Sequence, residues 1–119
     1  MGNLSKHFNR EEFACSCGCG KDTVDFELIV ALEDVRGYFD APIEITGGNR
    51  CKTRNTEIGG SERSQHIHCK ASDFKVKGIH ENRVADYLES KYPDKYGIGR
   101  YNGRTHLDIR KSKARWDNR

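Results

Sequence analysis

The sequence predicts a small α+β domain in which two main helices pack on a short antiparallel sheet. Two stretches place apolar residues at helical spacing, and several short stretches alternate apolar and polar residues as strands do. The length of 119 residues suits a single domain, so we treat residues 1–119 as one unit. Because only 34% of the residues are hydrophobic, the core must be thin.

The helices are predicted over residues 26–39 and 79–92. Asp25 is a suitable N-cap for the first helix, and Pro93 stops the second, whose Val84 and Leu88 should face the core. The apolar stripe of the first helix comprises Phe26, Ile29, Val30, Leu32, Val35 and Phe39.

Strands are predicted over residues 43–46 and 71–76, and a hairpin joins 96–101 to 105–109. The hairpin rests on Asn102-Gly103, a dipeptide strongly favoured in tight two-residue turns. Gly47-Gly48 should end the first strand, and residues 54–63 should form a surface loop.

The two ends of the chain are expected to differ from this folded middle. Residues 1–24 form a Cys/Gly-rich arm with one helical turn near residues 10–13, which Phe8 and Phe13 should pin to the core. The basic tail, residues 110–119, is predicted to be a solvated end, with Trp116 as a plug for the tail rather than a stacking surface for substrate.

Composition excludes several classes of partner. The chain has 21 Lys and Arg against 18 Asp and Glu, a net charge of +3 with the signs interspersed, and no nucleic-acid-binding signature. It has neither an apolar run long enough for a membrane span nor a signal peptide. We therefore expect a monomer made in the cytoplasm, with no nucleic-acid partner and no membrane insertion.

The five cysteines allow two interpretations. An odd count argues against a framework made only of disulfides. A structural disulfide or reduced packing thiols is the favoured interpretation, and a second metal site is the alternative. The residues that could form that second site are Cys15, Cys17, Cys19 and Cys51.

Two separate segments carry residues suited to metal chemistry. His66 and Asp73 lie seven residues apart with His68 between them, and a later strand supplies His106 and Asp108. Because the side-chain period of a strand is two, His106 and Asp108 should project from the same face. Two imidazoles and a carboxylate with an open fourth position form the coordination of a catalytic zinc.

The order and spacing of these residues resemble a known family. Ser64, His66, Ala71 and Asp73 are similar to the S-x-H-x-x-G-x-A-x-D signature of the D-alanyl-D-alanine carboxypeptidase-like zinc peptidases. These enzymes share their fold with the lysostaphin-type peptidases and the sonic hedgehog amino-terminal domain. The segments EITGGNRC, IGGSERSQH and GIGRYNGRTHLDIR, with the later Arg115-Trp116, resemble further motifs of the family in the same order.

The resemblance implies a role for each matching residue. It makes His66, Asp73 and His106 the ligands of one Zn²⁺, and Arg50 the residue that binds the scissile carbonyl or stabilises its oxyanion. Asp108 is either the general base or a partner that orients a ligand. Ser64 and Gln65 would line the substrate cleft. The implied activity is zinc-dependent hydrolysis of a peptide bond in peptidoglycan, in phage lysis after holin-type release, in a phage particle or in wall remodelling.

The chain departs from the family pattern at the position of the catalytic base. Many relatives place Glu or His three residues before the last histidine ligand, where this chain has Gly103. This favours an alternative function, a non-catalytic wall-binding or virion structural module on the same zinc-binding fold. A cysteine-based redox or zinc-finger protein is a third interpretation that leaves most of these motifs unexplained.

Overall fold

The computed structural model describes residues 5–13, 25–47 and 70–118. Their elements, in chain order, are a short 3₁₀ helix (Arg10–Phe13), α1 (Phe26–Phe39), β1 (Ile43–Gly47), β2 (Ala71–Val76), α2 (Glu81–Lys91), β3 (Gly97–Tyr101), β4 (Arg104–Asp108) and β5 (Ala114–Asp117). Two helices and one sheet confirm the predicted α+β class. None of the helices in these ranges is both long enough and apolar enough to cross a membrane.

Both helices begin at side chains that cap them. The Asp25 carboxylate accepts a hydrogen bond from the Glu27 backbone N–H at 2.9 Å, as predicted for an N-cap. The second helix begins two residues later than predicted, because His80 serves as its N-cap and accepts from the Asn82 N–H through Nδ1. His80 therefore has a structural role in starting α2.

The buried face of α1 is narrower than the predicted stripe. Its buried residues are Leu28, Ile29, Ala31, Leu32 and Val35. Phe26 and Val30 are 77% and 51% exposed, so their assignment to the core was wrong. These two residues lie four apart and therefore share a face of the helix that points away from the sheet.

The sheet has five strands in the order β1-β2-β4-β3-β5. Adjacent strands from β1 through β3 are antiparallel, as predicted, and the hairpin turns at Asn102-Gly103. The fifth strand pairs in parallel with β3, so the sheet is mixed. The side chains of β2 and β4 alternate between a core face, including Phe74 and Leu107, and a polar face that carries Asp73 and His106.

The prediction of a solvated tail was wrong for residues 114–117, which form β5. Beyond its strand pairing, this segment is held by Arg115, whose guanidinium donates to the backbone carbonyls of Tyr92, Lys95 and Tyr96. These carbonyls lie in the segment between α2 and β3, so one cation links β5 to the chain that leaves the helix. The tail thus closes one edge of the sheet and also secures the exit of α2.

The start of the described chain packs against α1. Phe8 and Phe13 are each 1% exposed and belong to the core, which confirms that they pin this segment. The Glu33 carboxylate accepts from the Ser5 hydroxyl and the His7 backbone N–H, and its other oxygen lies 2.5 Å from His7 Nδ1. These contacts fasten residues 5–13 to the first helix.

Candidate active site

The polar face of the sheet carries one continuous row of five residues from five strands. Strand register places Gly47, Asp73, His106, Gly99 and Trp116 side by side. Cross-strand neighbours on one face lie within contact distance of each other. The row therefore brings a carboxylate, an imidazole and an indole together, with a glycine on each side of the Asp73–His106 pair.

Asp73 and His106 form the centre of this row. Nδ1 of His106 lies 2.9 Å from Oδ1 of Asp73. His106 is nearly buried, whereas the Asp73 side chain retains about a fifth of its exposure. A Cβ on Gly47 would lie 3.1 Å from Oδ2 of Asp73, which is a tight contact. The glycine therefore leaves space beside this carboxylate that a side chain would fill.

Asp108 is completely buried behind His106 and accepts hydrogen bonds through both oxygens. Oδ2 lies 2.8 Å from His106 Nε2 and 2.7 Å from Arg110 Nη2. Oδ1 accepts from Arg110 Nε at 2.7 Å and from the backbone N–H groups of Gly97 and Arg110, both at 3.2 Å. Burial would raise the pKa of Asp108, but the hydrogen bonds from His106 and Arg110 outweigh it and hold the pKa well below its usual range. Asp108 is therefore an anion that orients His106.

The contacts of His106 determine how its ring is protonated. An ionised Asp108 can only accept, so Nε2 must carry a proton, and Nδ1 then points at a second carboxylate. Burial lowers the pKa of His106, but its hydrogen bonds to Asp108 and Asp73 and their charges outweigh this effect and raise the pKa above the ordinary value. In the metal-free protein these contacts favour a second proton on Nδ1, between the ring and Asp73.

The same contact suits a bound zinc ion. With Nε2–H donated to Asp108, a neutral His106 turns the Nδ1 lone pair toward Asp73, which is how an outer carboxylate prepares a histidine ligand. Two ligands of a tetrahedral zinc lie ~3.3 Å apart when each bond is ~2 Å long. The observed 2.9 Å therefore requires only a small separation of the two side chains.

Trp116 covers the other side of His106. The two rings lie 4.9 Å apart, and the indole N–H donates to the Tyr101 hydroxyl at 2.8 Å. Trp116 reaches this position because Gly99 leaves its space free: a Cβ there would overlap the indole. Gly97 does the same for the Asp108 carboxylate. The two glycines of β3 thus allow the packing behind and beside His106.

A family model described as Peptidase M15 matches residues 6–108, which is most of the chain and includes Asp73, His106 and Asp108. The chain belongs to the M15 peptidase family. This confirms the resemblance to the D-alanyl-D-alanine carboxypeptidase-like enzymes that the motifs predicted. No curated protein matches the chain.

The structure brings together three of the residues predicted for an M15 site, Asp73, His106 and Asp108. The remaining predicted site residues, His66, Arg50, Ser64 and Gln65, lie outside the described residues, as do Cys15, Cys17, Cys19 and Cys51. Within residues 5–13, 25–47 and 70–118 no group of three side chains could hold a metal ion by itself. His66, the third predicted zinc ligand, lies outside these ranges.

Sequence reasoning missed two residues that shape this M15 site, Arg110 and Trp116. Both lie beyond the matched range, in the segment that was predicted to be a solvated tail. One signal was present for Arg110: His106, Asp108 and Arg110 alternate, so a histidine, an anion and a cation share one side of the strand and its extension. For Trp116 the signal was the resemblance of Arg115-Trp116 to a family motif, but its contact with His106 depends on the parallel pairing of β5.

We expect the metal-free protein to lose stability as pH rises through neutrality. The raised pKa of His106 contributes stability that is fully present below the ordinary histidine value of 6.5 and is lost as pH rises through the folded-state pKa. The lowered pKa of Asp108 contributes stability that is present at every pH above the ordinary aspartate pKa of 3.8. This stability is lost only as pH falls through the folded-state pKa of Asp108. Urea unfolding in a chelator at pH 5.5, 7 and 8.5 would measure this.

The His106→Gln variant is the control for this pH series, since it removes the titrating ring. We expect its free energy of unfolding to vary less between pH 5.5 and 8.5 than that of the wild type. A wild-type protein that becomes more stable over that interval would contradict the proposed protonation of His106.

Proposed function

We propose that this chain is a zinc-dependent peptidase that hydrolyses a peptide bond in peptidoglycan stem or cross-link peptides. The observation that carries the proposal is the Asp73–His106 contact, in which Asp108 holds Nε2 and leaves Nδ1 for a metal. Membership of the M15 family supports peptidase chemistry on such substrates. We further propose a monomer that acts on the cell wall, in phage lysis or wall remodelling.

In this proposal Asp73 and His106 hold the zinc together with His66. When bound, zinc activates a water molecule for attack and polarises the scissile carbonyl. Arg50 stabilises the negative charge that develops on the carbonyl oxygen. Ser64 and Gln65 line the cleft. Asp108 keeps His106 in the correct tautomer and orientation and, being buried, does not receive the proton of the water.

One observation favours a second function, a wall-binding or virion structural module without catalysis. Gly103 has no side chain at the position where many relatives have a base, and Asp108 is inaccessible to solvent. A site that binds zinc and substrate but lacks a proton acceptor would bind the wall without cutting it.

Digestion of purified sacculi by the zinc-loaded protein separates the two functions. We expect mass spectrometry to find fragments with new amine ends, and we expect these ends to disappear with Asp73→Ala or after chelation and to return when zinc is restored. Exposed Asp94→Ala is the matched control and should cut normally. Intact stem peptides from a protein with bound zinc would reject the peptidase, and cosedimentation with the sacculi would then support the binding module.

A further inference from the structure

Arg104 places a cation beside the Asp73–His106 pair. It lies two residues before His106 on β4 and therefore projects from the same face of the sheet. Its Nε lies 3.9 Å from Oδ2 of Asp73, whereas Nδ1 of His106 lies beside Oδ1. The guanidinium is thus next to the two side chains that the proposed function assigns to zinc.

The guanidinium packs over the ring of Tyr101. Its Cζ lies 4.2 Å from the centre of the Tyr101 ring, and the Tyr101 hydroxyl accepts from the Trp116 indole. The turn before it is anchored as well, because the Gly103 backbone N–H donates to Oε1 of Glu81 at 3.1 Å. Since the side chain is already positioned, a ligand would lose less conformational entropy in binding it.

Among the described residues, no acceptor lies within hydrogen-bond distance of the Arg104 guanidinium, whereas Arg110 is hydrogen-bonded to Asp108. Arg110 directs Nε and Nη2 at the buried Asp108. The separation of 3.9 Å between Arg104 and Asp73 is too long for a hydrogen bond, and 42% of the Arg104 side chain is exposed. Within the described part of the chain, this places an accessible guanidinium at the edge of the proposed zinc site.

We propose that Arg104 binds a carboxylate of the substrate that flanks the scissile bond. A planar guanidinium matches a carboxylate with two parallel hydrogen bonds, which makes it a selective as well as a strong partner. The inference rests on the proposed function, since it takes a peptide at this site as given. In a stem peptide the carboxylate could be the terminal group or the α-carboxylate of D-glutamate, which present the same chemistry.

Arg104→Gln, which removes the charge, tests the proposal on three synthetic peptides. These are a stem pentapeptide ending in D-Ala-D-Ala, its C-terminal amide, and the form in which the α-carboxylate of D-glutamate is an amide. We expect the substitution to lower kcat/KM on the unmodified peptide by about 10- to 100-fold, chiefly through KM. One of the two amidated peptides lacks the carboxylate that Arg104 binds. On that peptide we expect the substitution to change kcat/KM by less than about threefold.

Arg83→Gln is the matched control. Arg83 is also an exposed arginine near an aromatic ring, 5.9 Å from the centre of Phe39, but it lies on α2 and not on the strands of the site. It should leave all three rates and the zinc affinity unchanged, and both variants are assayed at saturating zinc. An equal loss on all three peptides in Arg104→Gln would overturn the proposal, because it would show that no carboxylate is recognised.

Calorimetric titration of the zinc-loaded protein with the same peptides keeps the two proposals distinguishable. If the wild type cuts none of them, the peptidase proposal fails, but binding still tests Arg104. We then expect Kd to rise at least tenfold in Arg104→Gln only for peptides that retain the recognised carboxylate. Equal Kd values for the wild type and the variant would overturn the assignment of Arg104.

Discussion

Replacing Asp108 with asparagine is expected to weaken zinc binding by about 10- to 100-fold and to lower the free energy of unfolding by about 3 kcal/mol. Both carboxylate oxygens accept from two or more donors. In either orientation of the amide, its NH₂ group therefore faces hydrogen-bond donors. An NH₂ group cannot accept their hydrogen bonds. If it faces His106, the ring also loses the acceptor that fixes its tautomer.

Competition with a chromophoric chelator measures the zinc affinity, and urea unfolding without metal measures the stability. The exposed Asp94→Asn makes the same chemical change where no buried group depends on it, and it should alter neither quantity. Unchanged zinc affinity in Asp108→Asn would contradict the assignment of His106 as a ligand that Asp108 orients.

Gly97→Ala is expected to destabilise the protein by about 3 kcal/mol, although alanine usually improves on glycine within regular structure. The new Cβ would overlap the Asp108 carboxylate, which is buried and cannot move without breaking its hydrogen bonds. Because the displaced group also supports His106, zinc binding should weaken with the fold.

Gly37→Ala is the matched control for this substitution. Gly37 lies in α1, and apart from its chain neighbours and the backbone of its own helix no heavy atom of the described residues lies within 4 Å of the position of its Cβ. The same chemical change should therefore stabilise the protein by about 0.5–1 kcal/mol. Thermal or urea unfolding should therefore show changes of opposite sign in the free energy of unfolding of the two variants. A stabilised Gly97→Ala protein would mean that the Asp108 carboxylate is not packed against β3.

The sequence was sufficient wherever local patterns decide structure. Asn102-Gly103 located the hairpin because few other residues suit such a turn, and the period of two placed Asp73 and His106 on one face. The pairing of strands that lie far apart in the sequence could not be predicted in this way. Ala114–Asp117 alternates apolar and charged residues over only four positions, and such a short pattern does not identify a parallel partner. The exposure of Phe26 and Val30 likewise depends on where α1 rests on the sheet.

The candidate site was predictable as a set of residues but not as an arrangement. Motif order identified Asp73, His106 and Asp108, yet burial decides between the two roles that Asp108 could have, and burial is a property of the packed sheet. The contribution of Gly97 and Gly99 was also hidden, because the need for a missing side chain appears only when the neighbouring strands are in place.

The position of Trp116 gives the protein an internal optical reporter. It is the only tryptophan of the chain, and its ring lies 4.9 Å from that of His106. The intrinsic fluorescence therefore originates beside His106, the ring at the centre of the candidate site. Indole emission is sensitive to the charge of a neighbouring imidazole. The state of His106 is therefore coupled to a signal that needs no added label.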